Sequence, residues 1–123
     1  MKFNGTDQPS VARCWHNIGN ALEYLGKYKE SIQYSEMALK VFIKHYGEAH
    51  PSVAKTMNNI GSAWESLGNY DKSKLHYEKA LESDLKTYGE IHPDVATRLN
   101  NLGSVWTSKG NYQKGFKDWR KDF

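Results

Sequence analysis

One pattern of 21 residues is written three times in this chain: QPSVARCWHNIGNALEYLGKY at 8–28, HPSVAKTMNNIGSAWESLGNY at 50–70 and HPDVATRLNNLGSVWTSKGNY at 92–112. The landmarks Pro9, Pro51 and Pro93, Asn17, Asn59 and Asn101, and Gly26, Gly68 and Gly110 are each 42 residues apart. A self-similar period of about 20–50 residues marks one supersecondary unit stacked on itself. The expected division is therefore one repeat array over 1–123, with units at about 9–50, 51–92 and 93–123, the last incomplete.

Each unit reads as two helices. In the middle copy Met57, Ile60, Gly61, Trp64 and Leu67 fall at i, i+3, i+4, i+7 and i+10, the stripe of a 3.6-residue helix rather than the alternation of a strand. Pro51 and Pro93 stand where a helix begins, because the missing N–H costs nothing in the first turn, and Asp94 adds a carboxylate to the positive end of the dipole. Gly26, Gly68 and Gly110 are stop signals that accept a left-handed backbone. A second helix follows, with Tyr28, Ile32, Ser35, Ala38, Leu39, Phe42 and Tyr46 on one stripe in the first unit. Tyr70, Ser73, Tyr77, Ala80, Leu81 and Tyr88 form the counterpart in the second, and Gly47 and Gly89 close these helices. The expected fold is all-α: antiparallel helix pairs stacked side by side.

Glycine recurs in mid-helix at Gly19, Gly61 and Gly103, where it costs about 1 kcal/mol of helix propensity against alanine. A cost repeated at one place in every unit implies a compensating close approach of helices. Ala38 and Ala80 suit the facing side, and Trp64 and Trp106 suit the wedge beside it.

Composition bounds the function. A formal charge of +3, scattered along the chain, gives no case for nucleic acid or anionic lipid. No apolar run approaches the roughly 20 residues of a membrane-spanning helix, and no signal peptide opens the chain. The single cysteine, Cys14, excludes an internal disulfide and fits a reducing, cytoplasmic setting. Cys14 has no partner base that would make it a nucleophile, and Cys14 and His16 point different ways on a helix, so no metal site forms there. The repeat glycines do not form a phosphate loop. No cofactor, metal or catalytic residue is expected, and the chain does not read as an enzyme.

Trp15-x2-Ile18-Gly19-x2-Leu22, then Gly26-x-Tyr28 and Ala38-Leu39, together with Ile60-Gly61, Gly68-x-Tyr70, Tyr77 and Ala80-Leu81, resembles the tetratricopeptide repeat. The usual unit is about 34 residues, so this one is about eight longer. The 42-residue form with G-x-x-H-P-x-V-A and N-N-L is similar to the repeats of kinesin light chains and their nephrocystin-like and bacterial relatives. The resemblance implies a right-handed superhelix whose concave groove, lined by the first helix of each unit, binds a peptide or helical segment of a partner protein. In that register the groove positions are Arg13, His16, Asn17, Asn20 and Tyr24; Lys55, Asn58, Asn59, Ser62 and Glu65; and Thr97, Asn100, Asn101, Ser104 and Thr107. Of the clamp that grips a C-terminal carboxylate in chaperone-binding members, Asn20 and Asn59 match, but His16, Thr97 and Asn101 occupy the cationic positions. Nor is there a heptad segment of the kind that joins kinesin light chains to a motor.

Against this groove reading stand structural alternatives. The ladder of Asn17, Asn59 and Asn101 can bond a neighbouring helix as well as a ligand. Asn58 and Asn100, replaced by His16 in the first unit, are the better ligand contacts. His50 and His92, each before a helix-starting proline, suit capping or packing. Glu23, Glu65 and Glu78 are expected to be solvated, as is the basic run Lys114, Lys117, Arg120 and Lys121. Phe116, Trp119 and Phe123 belong to an unfinished second helix. The alternative function is therefore a structural segment of a longer scaffold that self-associates into a homo-oligomer through its open ends.

Overall fold

The computed structural model describes residues 8–108, which form five helices: α1 (Pro9–Tyr24), α2 (Tyr28–Tyr46), α3 (Pro51–Ser66), α4 (Tyr70–Tyr88) and α5 (Pro93–Ser108). The basic run at Lys114–Lys121 and the aromatic residues Phe116, Trp119 and Phe123 lie outside the described residues. First helices start at each repeat proline, 42 residues apart, and each helix packs on the next in sequence order. α1 also touches α3 directly, which puts the first helices on one side of the stack. The described residues thus form a right-handed α-solenoid of antiparallel helix pairs, and contain no strand.

The helix ends follow from local chemistry. Gly26 and Gly68 adopt φ of 82° and 84°, which lets the chain turn back on itself. Lys27 N–H then bonds Leu22 C=O (2.8 Å) while Gly26 N–H bonds Glu23 C=O (2.9 Å); Asn69 to Trp64 and Gly68 to Glu65 repeat the motif. At the unit junctions histidine takes over the cap. His50 Nδ1 accepts from Ser52 N–H and His92 Nδ1 accepts from Asp94 N–H, both at 3.1 Å. Each ring also stacks on the last tyrosine of the preceding helix, Tyr46 at 4.0 Å and Tyr88 at 3.7 Å between centroids.

The core runs along the stack as successive layers. Ala12, Ala38, Val41, Phe42, Val53 and Met57 join the first two units, with Ile32, Ile60 and Ala63 beside them. Tyr77, Leu81, Val95, Leu102 and Val105 join α4 to α5. Burying one such side chain contributes about 1.5–3 kcal/mol. The mid-helix glycines sit where helices meet most closely: a Cβ on Gly61 would lie 2.7 Å from the Tyr77 ring, and one on Gly19 would lie 2.6 Å from Ser35 Oγ. Ser31 Oγ uses that approach to donate to Gly19 C=O at 2.7 Å.

The two junctions differ in chemistry. Between the first units the packing is apolar, with Phe42 and Thr56 both buried. At the corresponding positions of the next junction stand Asp84 and Arg98, also buried, with Arg98 Nε 2.9 Å from Asp84 Oδ2. Neither carboxylate oxygen has an aligned hydrogen-bond donor among the described residues. Burial pushes the Asp84 carboxyl above the ordinary range against the pull of Arg98.

Candidate functional site

The first helices carry their polar residues along one side of the stack, and those residues bond from unit to unit. Asn59 Nδ2 donates to Asn20 Oδ1 and approaches His16 Nε2 at 3.5 Å. Asn101 donates to Asn58 Oδ1 one unit later. Ser62 donates to Glu23, and Ser104 donates to Glu65 Oε2 at 2.9 Å. These bonds recur at separations of 39 and 43 residues, three short of the period and one beyond it. The stagger between stacked helices, not the repeat length alone, therefore decides which residues meet.

This network corrects one sequence expectation. Glu23 and Glu65 are not simply solvated: both are half-buried acceptors, Glu65 taking a further bond from Tyr77 OH at 3.0 Å. Burial raises the Glu23 carboxyl above its ordinary value, with the Ser62 hydroxyl pulling the other way. Burial likewise raises the Tyr77 hydroxyl, reinforced by the charge of Glu65.

His16 has a defined tautomer. The single Thr56 hydroxyl proton goes to Ser52 C=O at 2.7 Å, so Thr56 Oγ1 must accept from His16 Nδ1–H, 3.0 Å away. That leaves His16 Nε2 as the acceptor facing Asn59, and the ring neutral. Burial, then the charge of Lys55, lowers its pKa below the ordinary 6.5.

Of the fifteen groove positions, the bonds above join His16, Asn20, Asn58, Asn59, Ser62, Glu65, Asn101 and Ser104 to neighbouring helices. Arg13, Asn17, Tyr24, Lys55 and Asn100 are exposed, Tyr24 at 92%. The asparagine ladder is therefore split: Asn59 and Asn101 tie units together, while Asn17 faces outward. Asn58 is held by Asn101, and only Asn100 of that pair stays exposed.

Between α1 and α3 opens a cavity of about 230 Å³ lined by Arg13, His16, Asn17, Phe42, Ser52 and Lys55. Two cations stand on its rim, a neutral imidazole forms part of its wall, and a buried phenyl ring belongs to its lining. Sequence reading missed Phe42 and Ser52 because they lie on other stripes: Phe42 counted as core, and Ser52 sits in the first turn of α3. The same position in the second unit is Asp84, which pairs with Arg98. Among the described residues no group of three His, Cys, Asp or Glu could hold a metal ion, and no helix is long and apolar enough to cross a membrane.

A sequence profile described as tetratricopeptide repeat matches residues 10–86 and 53–114. No curated protein matches the chain. Among solved structures, BtubC (BKLC) from P. vanneervenii is 27% identical, with a TM-score of 0.82 over 91% of this chain and 45% of that one. The nearly identical TPR-like repeats of a Podosopora anserina kinesin light chain candidate are 18% identical, with a TM-score of 0.79 over 96% of this chain and 56% of theirs, and show likeness of fold. The chain spans about half the length of these proteins. Repeats of this kind generally mediate contacts between proteins. With its 42-residue units, its sequential helix pairs and a matching profile over most of its length, the chain belongs to the tetratricopeptide-repeat family.

Proposed function

We propose that this chain is a non-catalytic binding module that holds a peptide or short helix of a partner protein, acidic in character, along the side formed by α1, α3 and α5. One observation carries the reading: the cavity lined by Arg13, Lys55, His16, Asn17, Ser52 and Phe42. Its two cations favour a carboxylate, the Asn17 amide and Ser52 hydroxyl offer hydrogen bonds, and Phe42 accepts the stem of the side chain. Tyr24 and Asn100, both exposed, extend the contact along the array. The fixed partners of Asn58, Asn59 and Asn101 make them supports of the groove's shape, and direct ligand contact falls to the exposed residues.

The test is fluorescence anisotropy with a panel of acidic peptides and their amidated counterparts. Saturable binding that weakens about tenfold in Arg13→Ala plus Lys55→Ala, and weakens further with added salt, supports the proposal. Equal binding of acidic and amidated peptides would overturn it. The scaffold reading draws on a separate feature, the exposed Ile18 of α1.

A further inference from the structure

A second cavity opens between the second helices. α2 and α4 both pack on α3, and a space of about 220 Å³ lies between them. None of the groove positions lines it. Leu39 and Ile43, one turn apart on α2, form one wall, and Met57 of α3, buried in the core, adds a third apolar group. The facing wall belongs to α4, where His76, Lys79, Ser83 and Lys86 fall at i, i+3, i+7 and i+10 on one stripe. One unit earlier Tyr34, Met37 and Val41 stand at the positions of His76, Lys79 and Ser83. α4 thus sets polar groups against an apolar wall at positions where α2 carries larger apolar side chains.

The polar atoms have defined roles. Ser83 is buried and its hydroxyl donates to Glu48 C=O, so it has no proton left for a ligand. Lys72 C=O can only accept, so His76 Nδ1–H donates to it at 2.8 Å. In the neutral ring Nε2 is then an acceptor, on the far side of the ring from that bond. The exposed ammonium groups of Lys79 and Lys86 are donors, and the exposed carboxylates of Glu48 and Glu82 balance their charge. The cavity therefore combines an imidazole acceptor, ammonium donors at its rim, apolar groups opposite them and no net charge.

A ligand that suits this lining is neutral and mostly apolar, with one group that both gives and takes a hydrogen bond. An aryl hydroxyl does both, whereas an indole N–H only donates and an ether oxygen only accepts. The Met57 thioether, with Leu39 and Ile43, suits the face and edge of an aromatic ring. The volume is below the roughly 300–1,000 Å³ of sites for drug-sized ligands, which limits the occupant to one or two rings. We propose that the cavity between α2 and α4 is a binding site for small phenols, the hydroxyl donating to His76 Nε2 and accepting from Lys79 or Lys86. It shares no residue with the cavity that holds Arg13 and Lys55, so it is independent of the groove.

Three probes test it: para-ethylphenol, its methyl ether para-ethylanisole, and indole. Each is titrated into the full chain at about pH 8, where free imidazole is neutral, and methyl and amide NMR shifts are followed. The expected result is saturable shifts at the methyl groups of Leu39, Ile43 and Met57, with para-ethylphenol bound at least about fivefold more tightly than the ether or indole. His76→Phe, checked for native helicity by circular dichroism, keeps an aromatic ring but lacks the acceptor. In it the advantage of the phenol over its ether should fall to within about twofold. Lys79→Met with Lys86→Met changes only exposed positions and should weaken the phenol about threefold while leaving the ring in place. No saturable shift at the three methyl groups, shifts centred elsewhere, or a phenol that binds no better than its ether would overturn the proposal. So would indole bound as tightly as the phenol, an advantage that survives in His76→Phe, or undiminished phenol binding in the lysine variant.

Discussion

His16 is held neutral by its neighbours, Nδ1–H given to Thr56 and Nε2 facing the Asn59 amide, and its lowered pKa has a defined consequence for stability. A group whose folded pKa lies below its unfolded value contributes stability above the unfolded value, and that stability is lost as pH falls through the folded one. The unfolded value here is near 6.5. Glu23 and Asp84, both raised, act with the opposite sign, their ionised forms being the disfavoured ones, so the His16 contribution must be isolated by difference. Urea denaturation of wild type and His16→Asn, the residue that the second unit carries at Asn58, should give a stability difference that shifts in the variant's favour between about pH 7.5 and about pH 5.5. A difference independent of pH would show that His16 titrates as it does in the unfolded chain. The Asp84–Arg98 pair makes a second test. Asp84→Asn strands a buried cation and should cost about 3–5 kcal/mol. Restoring the first junction's residues, Asp84→Phe with Arg98→Thr, should return stability to within about 1 kcal/mol of wild type or above it. A double variant as weak as the single one would mean that the ion pair stabilises this junction. Neither effect was legible in the sequence, where Asp84 and Arg98 look like ordinary helix charges until the stacking brings them together.

At the scale of elements, the helices were legible because each boundary has a local cause. Proline opens each first helix, glycine with positive φ closes α1 and α3, and the stripe periodicity names the buried face. Gly19 and Gly61 were legible as close contacts because their cost recurs. Gly61→Ala puts this to the test: alanine gains helix propensity, yet its Cβ would meet the Tyr77 ring. The variant should lose about 1–3 kcal/mol in chemical denaturation. A gain of about 1 kcal/mol, the propensity value alone, would show that α3 and α4 can move apart. What stayed hidden was the pairing between elements. A stripe says which face of a helix is polar, but not how far that helix is staggered against the next. The offsets of 39 and 43 residues that join Glu23 to Ser62, Glu65 to Ser104 and Asn58 to Asn101 depend on that stagger. Eight of the expected groove residues consequently turn out to be joined to neighbouring helices.

For the whole molecule, α1 has two unlike sides. One side joins α3 around the cation-rimmed cavity; another leaves Ile18 exposed. Because the repeat is regular, departures from it carry the information: Phe42 against Asp84, Thr56 against Arg98, and His16 against Asn58. The regular positions build the solenoid, and the irregular ones differentiate its surfaces. The central claim is that the side formed by α1, α3 and α5 receives an acidic segment, and a heteronuclear NMR titration with the tightest acidic peptide tests it most directly. Amide shifts are expected to concentrate at Arg13, His16, Asn17, Ser52 and Lys55, with α2 and α4 unmoved on their outward faces. Shifts centred on the outward faces of α2 and α4, or none at saturating peptide, would contradict it.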